Sequence, residues 1–282
     1  MARKERRIVV LLLAALAAAY APSSAAGSGD DCAFGSGSLR HFNLPLETQR
    51  VTCPSAGVAV FDAYGESLRT PKVRYRHPKG WLHRVPVLSA RVSPGRDVEV
   101  QVSAPAQVWS RGDDGVQRND GGDILLGTKW TALREQGLRP GLGFRWAVKL
   151  PNTSEETGLG TDQTDVMAGL IVSKTLGRVQ LDGNLGLAIM GDPTHEVDQV
   201  DVMTGGVAAS VLVAPRLAAV AEVEGVGGKR NFDPRMSARL GGVWEGPWPE
   251  SMLYGALSKG LNSDAPEWGC RMGFAWTWEF RK

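Results

Sequence analysis

"FRWAVKLPNTSEETGLGTDQTDVMAGLIV", residues 144–172, contains two runs in which side chains of different character alternate. From Phe144 to Val148 every second residue is bulky and apolar, and Arg145 and Lys149 stand between and beyond them. A hydrophilic loop follows, and then a second alternating run. A period of two residues is typical of a strand whose two faces meet different surroundings. The stretch therefore predicts two neighbouring strands joined by a polar loop.

The same alternation recurs along most of the chain after residue 57. Short runs of this kind, bounded by glycine, proline and polar residues, predict about twelve strands. Two of them, the second and the eleventh, alternate less clearly. The predicted strands are 57–65, 81–92, 97–108, 122–134, 139–150, 163–175, 177–189, 199–213, 216–226, 234–244, 251–261 and 268–280.

Two features favour a membrane barrel over a soluble sheet, which also alternates. The connections are alternately short and long, as a barrel with two different rims requires. Nine tryptophans are present, and most lie near predicted strand ends, where indole rings prefer the lipid headgroup level. In lipid a sheet must close so that every backbone group is paired. The sequence therefore predicts an all-β, antiparallel up-and-down transmembrane β-barrel of about twelve strands, residues 57–282.

The N-terminus has the pattern of an export signal. A basic stretch precedes the apolar run Ile8 to Ala21, and small residues then predict cleavage after Ala26. We therefore interpret residues 1–26 as a signal peptide. The apolar run is shorter than the roughly 20 residues of a spanning helix. The net charge of +2 gives no basic patch of the kind that binds nucleic acid.

Residues 27–56 form a polar, glycine-rich segment without periodicity. Two hypotheses remain open for it: a plug inside the barrel, or a loose periplasmic tail. The chain has three cysteines. Cys32 and Cys53 are the disulfide candidate, because both precede the first strand and export favours oxidation. Cys270 lies among apolar residues and is predicted to be a buried or lipid-facing thiol.

The residues opposite the apolar faces are the candidates for the lumen and the solute pathway. Both signs of charge occur, and Glu222 and Glu224 are predicted to face Arg235 and Arg239 across a strand pair. Such residues form either a charged constriction that selects solutes or a packed ion-pair network. The candidates are Lys129, Arg145, Lys149, Asp182, Glu222, Glu224, Arg235, Arg239, Arg271 and Glu279.

No catalytic or metal-binding pattern stands out. The four histidines are scattered, and His195, within GDPTHEVDQVD, is the one with carboxylates nearby. An acid–histidine site there would belong to an outer-membrane enzyme, but a solvated polar loop is the favoured interpretation. No metal spacing or cofactor motif is present, so we predict a non-enzyme without metal or cofactor.

Four stretches resemble a known group of bacterial outer-membrane proteins. They are GDILLGTKW (122–130), AVKLPNTSEETGLGTDQTDV (147–166), LIVSKTLGRVQLDGNLGLAIMGDP (170–193) and DAPEWG (264–269). In this order they are similar to the MetA-pathway of phenol degradation family, over roughly residues 80–282. The resemblance implies a bacterial outer-membrane barrel that passes small, often aromatic or hydrophobic compounds, and it brings no catalytic residues.

The predicted function is therefore passive passage or uptake of small solutes across the bacterial outer membrane. The expected partners are outer-membrane lipid, a small-molecule solute and the barrel-assembly machinery, for which Phe280 is the terminal aromatic residue. The alternatives are an outer-membrane enzyme with a site at the outer rim, and a sealed structural or adhesive barrel. Solute is expected to enter among the loops at 65–80, 109–121, 151–162, 190–198, 227–233 and 262–267.

Overall fold

A computed structural model of the chain is all-β in the part it describes, which is residues 34, 39, 42, 47–51, 56–71, 79–191, 199–228 and 234–280. In that part no helix is long and apolar enough to cross a membrane. The strands are β1 Val58–Thr70, β2 Gly80–Ser93, β3 Val98–Pro105, β4 Val108–Gly112, β5 Gln117–Asp120, β6 Ile124–Leu133, β7 Gly141–Leu150, β8 Asp165–Leu176, β9 Val179–Gly191, β10 Gln199–Ala214, β11 Leu217–Gly228, β12 Arg235–Glu245, β13 Ser251–Gly260 and β14 Trp268–Glu279.

The sheet closes on itself. Strand β1 pairs with β2 on one side and with β14 on the other, in a register that runs from Val58 opposite Glu279 to Arg69 opposite Trp268. Strand β2 pairs with both β3 and β4, which together form one interrupted barrel strand. Strands β5 and β6 likewise succeed each other along one barrel strand, so that fourteen segments build twelve antiparallel barrel strands.

The predicted barrel of about twelve strands is thereby confirmed, including the two ambiguous runs, which form β2 and β13. Two predicted loops are wrong in part. Strand β1 continues to Thr70, so the loop expected at 65–80 begins later. Residues 109–121 were expected to be a loop, but they extend the barrel wall as most of a hairpin, β4 to β5. A hairpin that projects beyond the lipid needs no apolar face, so its sequence lacks the alternation that marks the other strands.

The barrel has two unlike rims. The turn rim carries the short connections and the end of β14, where the Phe280 amide donates to the Gly57 carbonyl over 2.8 Å. The loop rim carries the longer connections. The turn-rim connections are 94–97, 134–140, 177–178, 215–216 and 246–250, and those of the loop rim are 71–79, 113–116, 151–164, 192–198, 229–234 and 261–267.

The outer face of the barrel is apolar. Leu170 on β8, Leu240 on β12 and Met272 on β14 expose 61%, 68% and 75% of their surface, and their chain neighbours point inward. Such a continuous band of exposed large apolar side chains is stable only against hydrocarbon. Trp81, Trp109, Trp244, Trp268 and Trp278 stand outward near strand ends, as expected for side chains at the lipid interface.

The interior near the turn rim is filled by an apolar core. Its unusual feature is that residues preceding the first strand supply three of its large side chains, Phe34, Leu39 and Phe42. They pack against inward residues of five barrel strands. Those wall residues are Val58, Val60, Ala218, Val220, Val243, Met252, Tyr254 and Ala275.

Candidate functional site

The ten predicted lumen residues all stand at inward positions of their strands. The strand alternation explains this, because each follows the inward phase of its run. Arg235 lies at the loop rim and Glu279 at the turn rim, where both are exposed. The other eight are buried or half-buried inside the barrel. The structure brings four of them, Glu222, Glu224, Arg239 and Arg271, into one cluster, with Glu224 at its edge.

This central charge cluster joins strands β1, β11, β12 and β14. Arg239 bonds Glu222 directly across the β11–β12 pair, and its Nη2 lies 3.2 Å from Glu224. Arg271 lies 2.7 Å from Glu66 and also bonds Glu47. The predicted cross-strand pairing is confirmed for Arg239. For Arg235 it is wrong, because that residue stands opposite Val226, four positions away from Arg239 and nearer the rim.

Sequence reasoning missed two acidic members of this cluster. Glu66 also accepts from Arg84 over 3.0 Å, and it was missed because the first strand was predicted to end at residue 65. Glu47 lies in the aperiodic segment before the barrel, where no pattern marks an inward residue. Burial alone raises a carboxyl pKa, but the guanidinium groups of Arg271 and Arg239 lower the pKa of Glu47 to about 2.

The two guanidinium groups favour the ionised form of Glu47. Its folded pKa is lower than the roughly 4.3 of an unfolded chain. The stability that Glu47 contributes is therefore present above that unfolded value and is lost as the pH falls towards 2. The Arg271–Glu47 pair links the barrel wall to the segment inside it.

A second pair is buried on the opposite wall. Lys129 on β6 lies 3.0 Å from Glu99 on β3, and both side chains are almost fully enclosed. Gln101 donates to the same Glu99 oxygen over 2.9 Å. Asp182 on β9 accepts from Ser173 over 2.5 Å. These charges are held within the wall, which favours the packed-network interpretation for them.

The loop-rim end has its own polar cluster around Lys149. Its ammonium group lies 2.9 Å from Asp165 and 3.4 Å from Asp123, and it donates to Thr161 over 3.1 Å. Asp123 also accepts from the backbone of the long 151–164 loop, which is thereby fixed over the rim. Outside the barrel wall, the hydrogen bond from Arg69 lowers the pKa of Asp113, and Lys79 lowers the pKa of Glu267 in the same way.

Residues 47–51 cross the lumen from the central charge cluster to the far wall. The amides of Glu47 and Thr48 donate to Glu222, at 3.2 Å and 3.3 Å. The next residue, Gln49, exchanges two hydrogen bonds of 2.6 Å with Asn184. The segment is thus bonded to two sides of the barrel.

The end of the segment is fitted to the wall by small residues. The Val51 amide donates to Ser173 over 2.8 Å. Gly206 faces the segment, and a Cβ there would lie 2.7 Å from the Thr48 hydroxyl oxygen. Gly143 and Gly141 face Val51 in the same way, at 3.3 Å. A side chain at Gly206 would require the Thr48 side chain to move.

The lumen on the loop side of this segment is open space. One cavity of about 470 Å³ has Glu47 and Thr48 in its floor, and a second of about 510 Å³ lies under the loop rim. The two share lining residues and therefore adjoin. On the other side of the segment a cavity of only about 160 Å³ remains, bounded by Phe42 and Tyr254. The shared lining residues of the larger two include Arg84, Leu125, Met167 and Arg235.

Several predictions concern residues outside the described part of the chain. The signal peptide, the Cys32–Cys53 disulfide and the acid–histidine alternative at His195 all belong to this group. Cys270 is a free, exposed thiol on the lipid-facing side of β14, which agrees with one of its two predicted environments. Among the described residues no group of histidine, cysteine and acidic side chains is placed to hold a metal ion.

A closed antiparallel barrel with an apolar outer band and a polar lumen defines an outer-membrane β-barrel protein. The predicted location in the bacterial outer membrane is thereby confirmed. No protein-family model matches the sequence. No curated protein matches it either.

Several solved structures have a similar fold. The COG4313 outer membrane channel from Pseudomonas putida F1 superposes with a TM-score of 0.60 at 14% identity, over 80% of this chain and 97% of that one. The NanC porin gives 0.55 at 6% identity, over 77% and 98%. The translocator domain of the autotransporter NalP from Neisseria meningitidis gives 0.50 at 11%, over 80% and 90%. At these identities the likeness establishes the fold alone.

Proposed function

We propose that this protein is a passive outer-membrane channel for small solutes, among them hydrophobic or aromatic compounds. The observation that carries the proposal is the pair of adjoining cavities, about 470 and 510 Å³, beneath the loop rim. A barrel with a purely structural role has no need of space on this scale, which is the volume of ordinary small-molecule sites. The solved channel and porin structures with this fold agree with the proposal.

The route we propose enters at the loop rim and descends past a lining of mixed character. The apolar side chains of Leu125 and Met167 stand beside charges that are already bonded within the wall. Such a surface suits solutes with an apolar body. The solute-pathway role is proposed for eight of the ten predicted lumen residues, with Arg235 at the entrance and Glu279 at the exit, whereas Lys129 and Asp182 belong to the packed network of the wall.

We further propose that the segment before β1 is the plug of this channel. The hydrogen bonds of residues 47–51 to β8, β9 and β11 support this role, as does the apolar core that Phe34, Leu39 and Phe42 complete. Passage to the turn rim then requires the segment to shift. The same core also fits the alternative of a sealed structural barrel. A test of conductance distinguishes the two.

We also propose a family for this chain. The order of the stretches at 122–130, 147–166 and 170–193 supports membership in the MetA-pathway of phenol degradation family. The same proposal includes removal of residues 1–26 on export and recognition of Phe280 by the barrel-assembly machinery.

A reversible tether tests the channel and the plug together. In a variant whose native cysteines are serine, Thr48→Cys with Gly206→Cys places two thiols within disulfide reach, since a Cβ at 206 would lie 2.7 Å from the Thr48 oxygen. We expect lower conductance in planar bilayers and slower liposome swelling in the oxidised form than in the reduced form. Each single-cysteine variant is the matched control and should not respond to reductant.

The possible outcomes separate the two proposals. Equal conductance of the oxidised and reduced forms would overturn the plug but leave the channel. If neither form conducts ions or admits small solutes, and a variant lacking residues 34–51 does not either, the barrel is sealed and the channel proposal is wrong.

A further inference from the structure

Arg145 is a lumen cation that the wall does not neutralise. It stands on β7 directly opposite Lys129 of β6, and Gly169 of β8 stands on its other side. Like charges opposed across a strand pair repel each other. Glu99 pairs with Lys129 at 3.0 Å. Among the residues that the structure describes, no carboxylate lies within 4.0 Å of the Arg145 guanidinium, and its buried Nε has no hydrogen-bond partner.

Two other arginines that line the same cavity, Arg84 and Arg239, are bonded to carboxylates of the wall. Arg84 bonds Glu66, and Arg239 bonds Glu222 and Glu224. Buried charges are ordinarily paired, because an unpaired ion loses its hydration without compensation. The guanidinium of Arg145 therefore has donors free for a group that enters from the lumen.

The position of Arg145 puts those donors on the solute route. Its side chain lines both the 470 Å³ cavity above the plug segment and the 160 Å³ cavity below it. Glu47 and Leu125 line the same two cavities, so these three residues surround the junction. A solute that leaves the upper cavity towards the turn rim comes close to Arg145.

The inner face of the wall beside Arg145 has a recess. The inward positions that follow in register on β8 and β9 are Gly169 and Gly186, and neither carries a side chain. A Cβ at Gly186 would lie 2.7 Å from the Ala168 carbonyl oxygen, so the recess cannot be filled there without strain. Met167 and Ile171 flank it with apolar surface. The guanidinium thus adjoins an apolar recess.

We propose that Arg145 and this recess bind small carboxylates that carry a compact apolar body, such as aromatic carboxylates. The guanidinium matches a carboxylate with two parallel hydrogen bonds. The recess accepts the ring. The inference deepens the proposed channel function and rests on it, because it names the class of solute that the lumen holds.

Calorimetric titration of the full-length protein in detergent micelles tests the site without requiring flux. The probes are benzoate, its neutral counterpart benzyl alcohol, and inorganic phosphate. We expect benzoate to bind best and Arg145→Gln to weaken it by at least about tenfold, the effect of one lost charge-assisted hydrogen bond. Arg178→Gln, the same change in an exposed turn-rim residue, is the matched control and should leave binding unchanged.

Arg145→Lys keeps the charge and serves as the second variant if Arg145→Gln does not fold. It should retain part of the affinity, because an ammonium group lacks the two-pronged geometry. Benzoate binding that is absent, or equal in all variants, overturns the site. Phosphate binding as tight as benzoate overturns the role of the recess. Binding in micelles without conductance in bilayers would count against the channel and leave this site standing, whereas conductance without binding would do the reverse.

Discussion

At the scale of single residues, most charged side chains of the lumen are paired with a side chain of opposite charge. Glu66, Glu222 and Arg271 are nearly enclosed, and each has a partner of opposite sign within the barrel. A charge that faces lipid costs about 2–4 kcal/mol at mid-bilayer. Charged residues are therefore confined to the inward positions of the strands, where they can be paired.

Arg239→Ala should destabilise the barrel strongly, because it leaves Glu222 buried without its partner. A broken buried pair costs about 3–5 kcal/mol. The double change Arg239→Met with Glu222→Leu should recover most of that loss, since both charges are then gone. Urea unfolding in micelles, followed by the gel mobility of the folded barrel, measures both. Arg178→Ala is the control, and a loss from Arg239→Ala no larger than the control's would refute this role for the pair.

The signs of the lumen charges were predictable, and so was the strand pair that brings Arg239 to Glu222 and Glu224, but the exact register was not. Period-two alternation assigns Glu222 and Arg239 to the inward face without any structure. The partner of Arg239 requires the register of β11 on β12, which depends on turn geometry. The isolation of Arg145 was hidden for the same reason, because it depends on which residues stand opposite on β6 and β8.

At the scale of the elements, a strand was recognisable wherever lipid touches it. Strands β7 and β8 show this clearly, since their outward residues are almost all apolar. The β4–β5 hairpin was expected to be a loop, because it projects beyond the lipid and its sequence therefore lacks the alternation of apolar residues. The segment before β1 had no periodicity to read, although its Phe34, Leu39 and Phe42 are the apolar residues that complete the interior.

A covalent bridge within that segment is the prediction at this scale. We expect Cys32 and Cys53 to form a disulfide in the exported protein, because both precede the first strand and export favours oxidation. Peptide mass mapping of protein from the outer membrane under non-reducing conditions measures it. Cys270, a free thiol on the outer face, should be recovered unbridged. A bridge that includes Cys270 would contradict the assignment.

At the scale of the whole molecule, closure separates two solvents. The full pairing of β1 with β14 closes the sheet where it spans the membrane, as a sheet in hydrocarbon requires. Outside that closed wall the band is apolar, and inside it cavities and ion pairs share the space with the segment before β1. The filling of the lumen could not be predicted from the sequence. It depends on contacts between side chains of many strands that are far apart in the chain.

The most direct test is a spin-label scan along β8, with single cysteines from 166 to 172 in a cysteine-free protein reconstituted in lipid. Oxygen collision rates should be high at Val166, Ala168, Leu170 and Val172, which face out, and low at Met167, Gly169 and Ile171, which face in. A rate that alternates in this phase supports a closed barrel with lipid outside. A uniform profile, or the opposite phase, would contradict it.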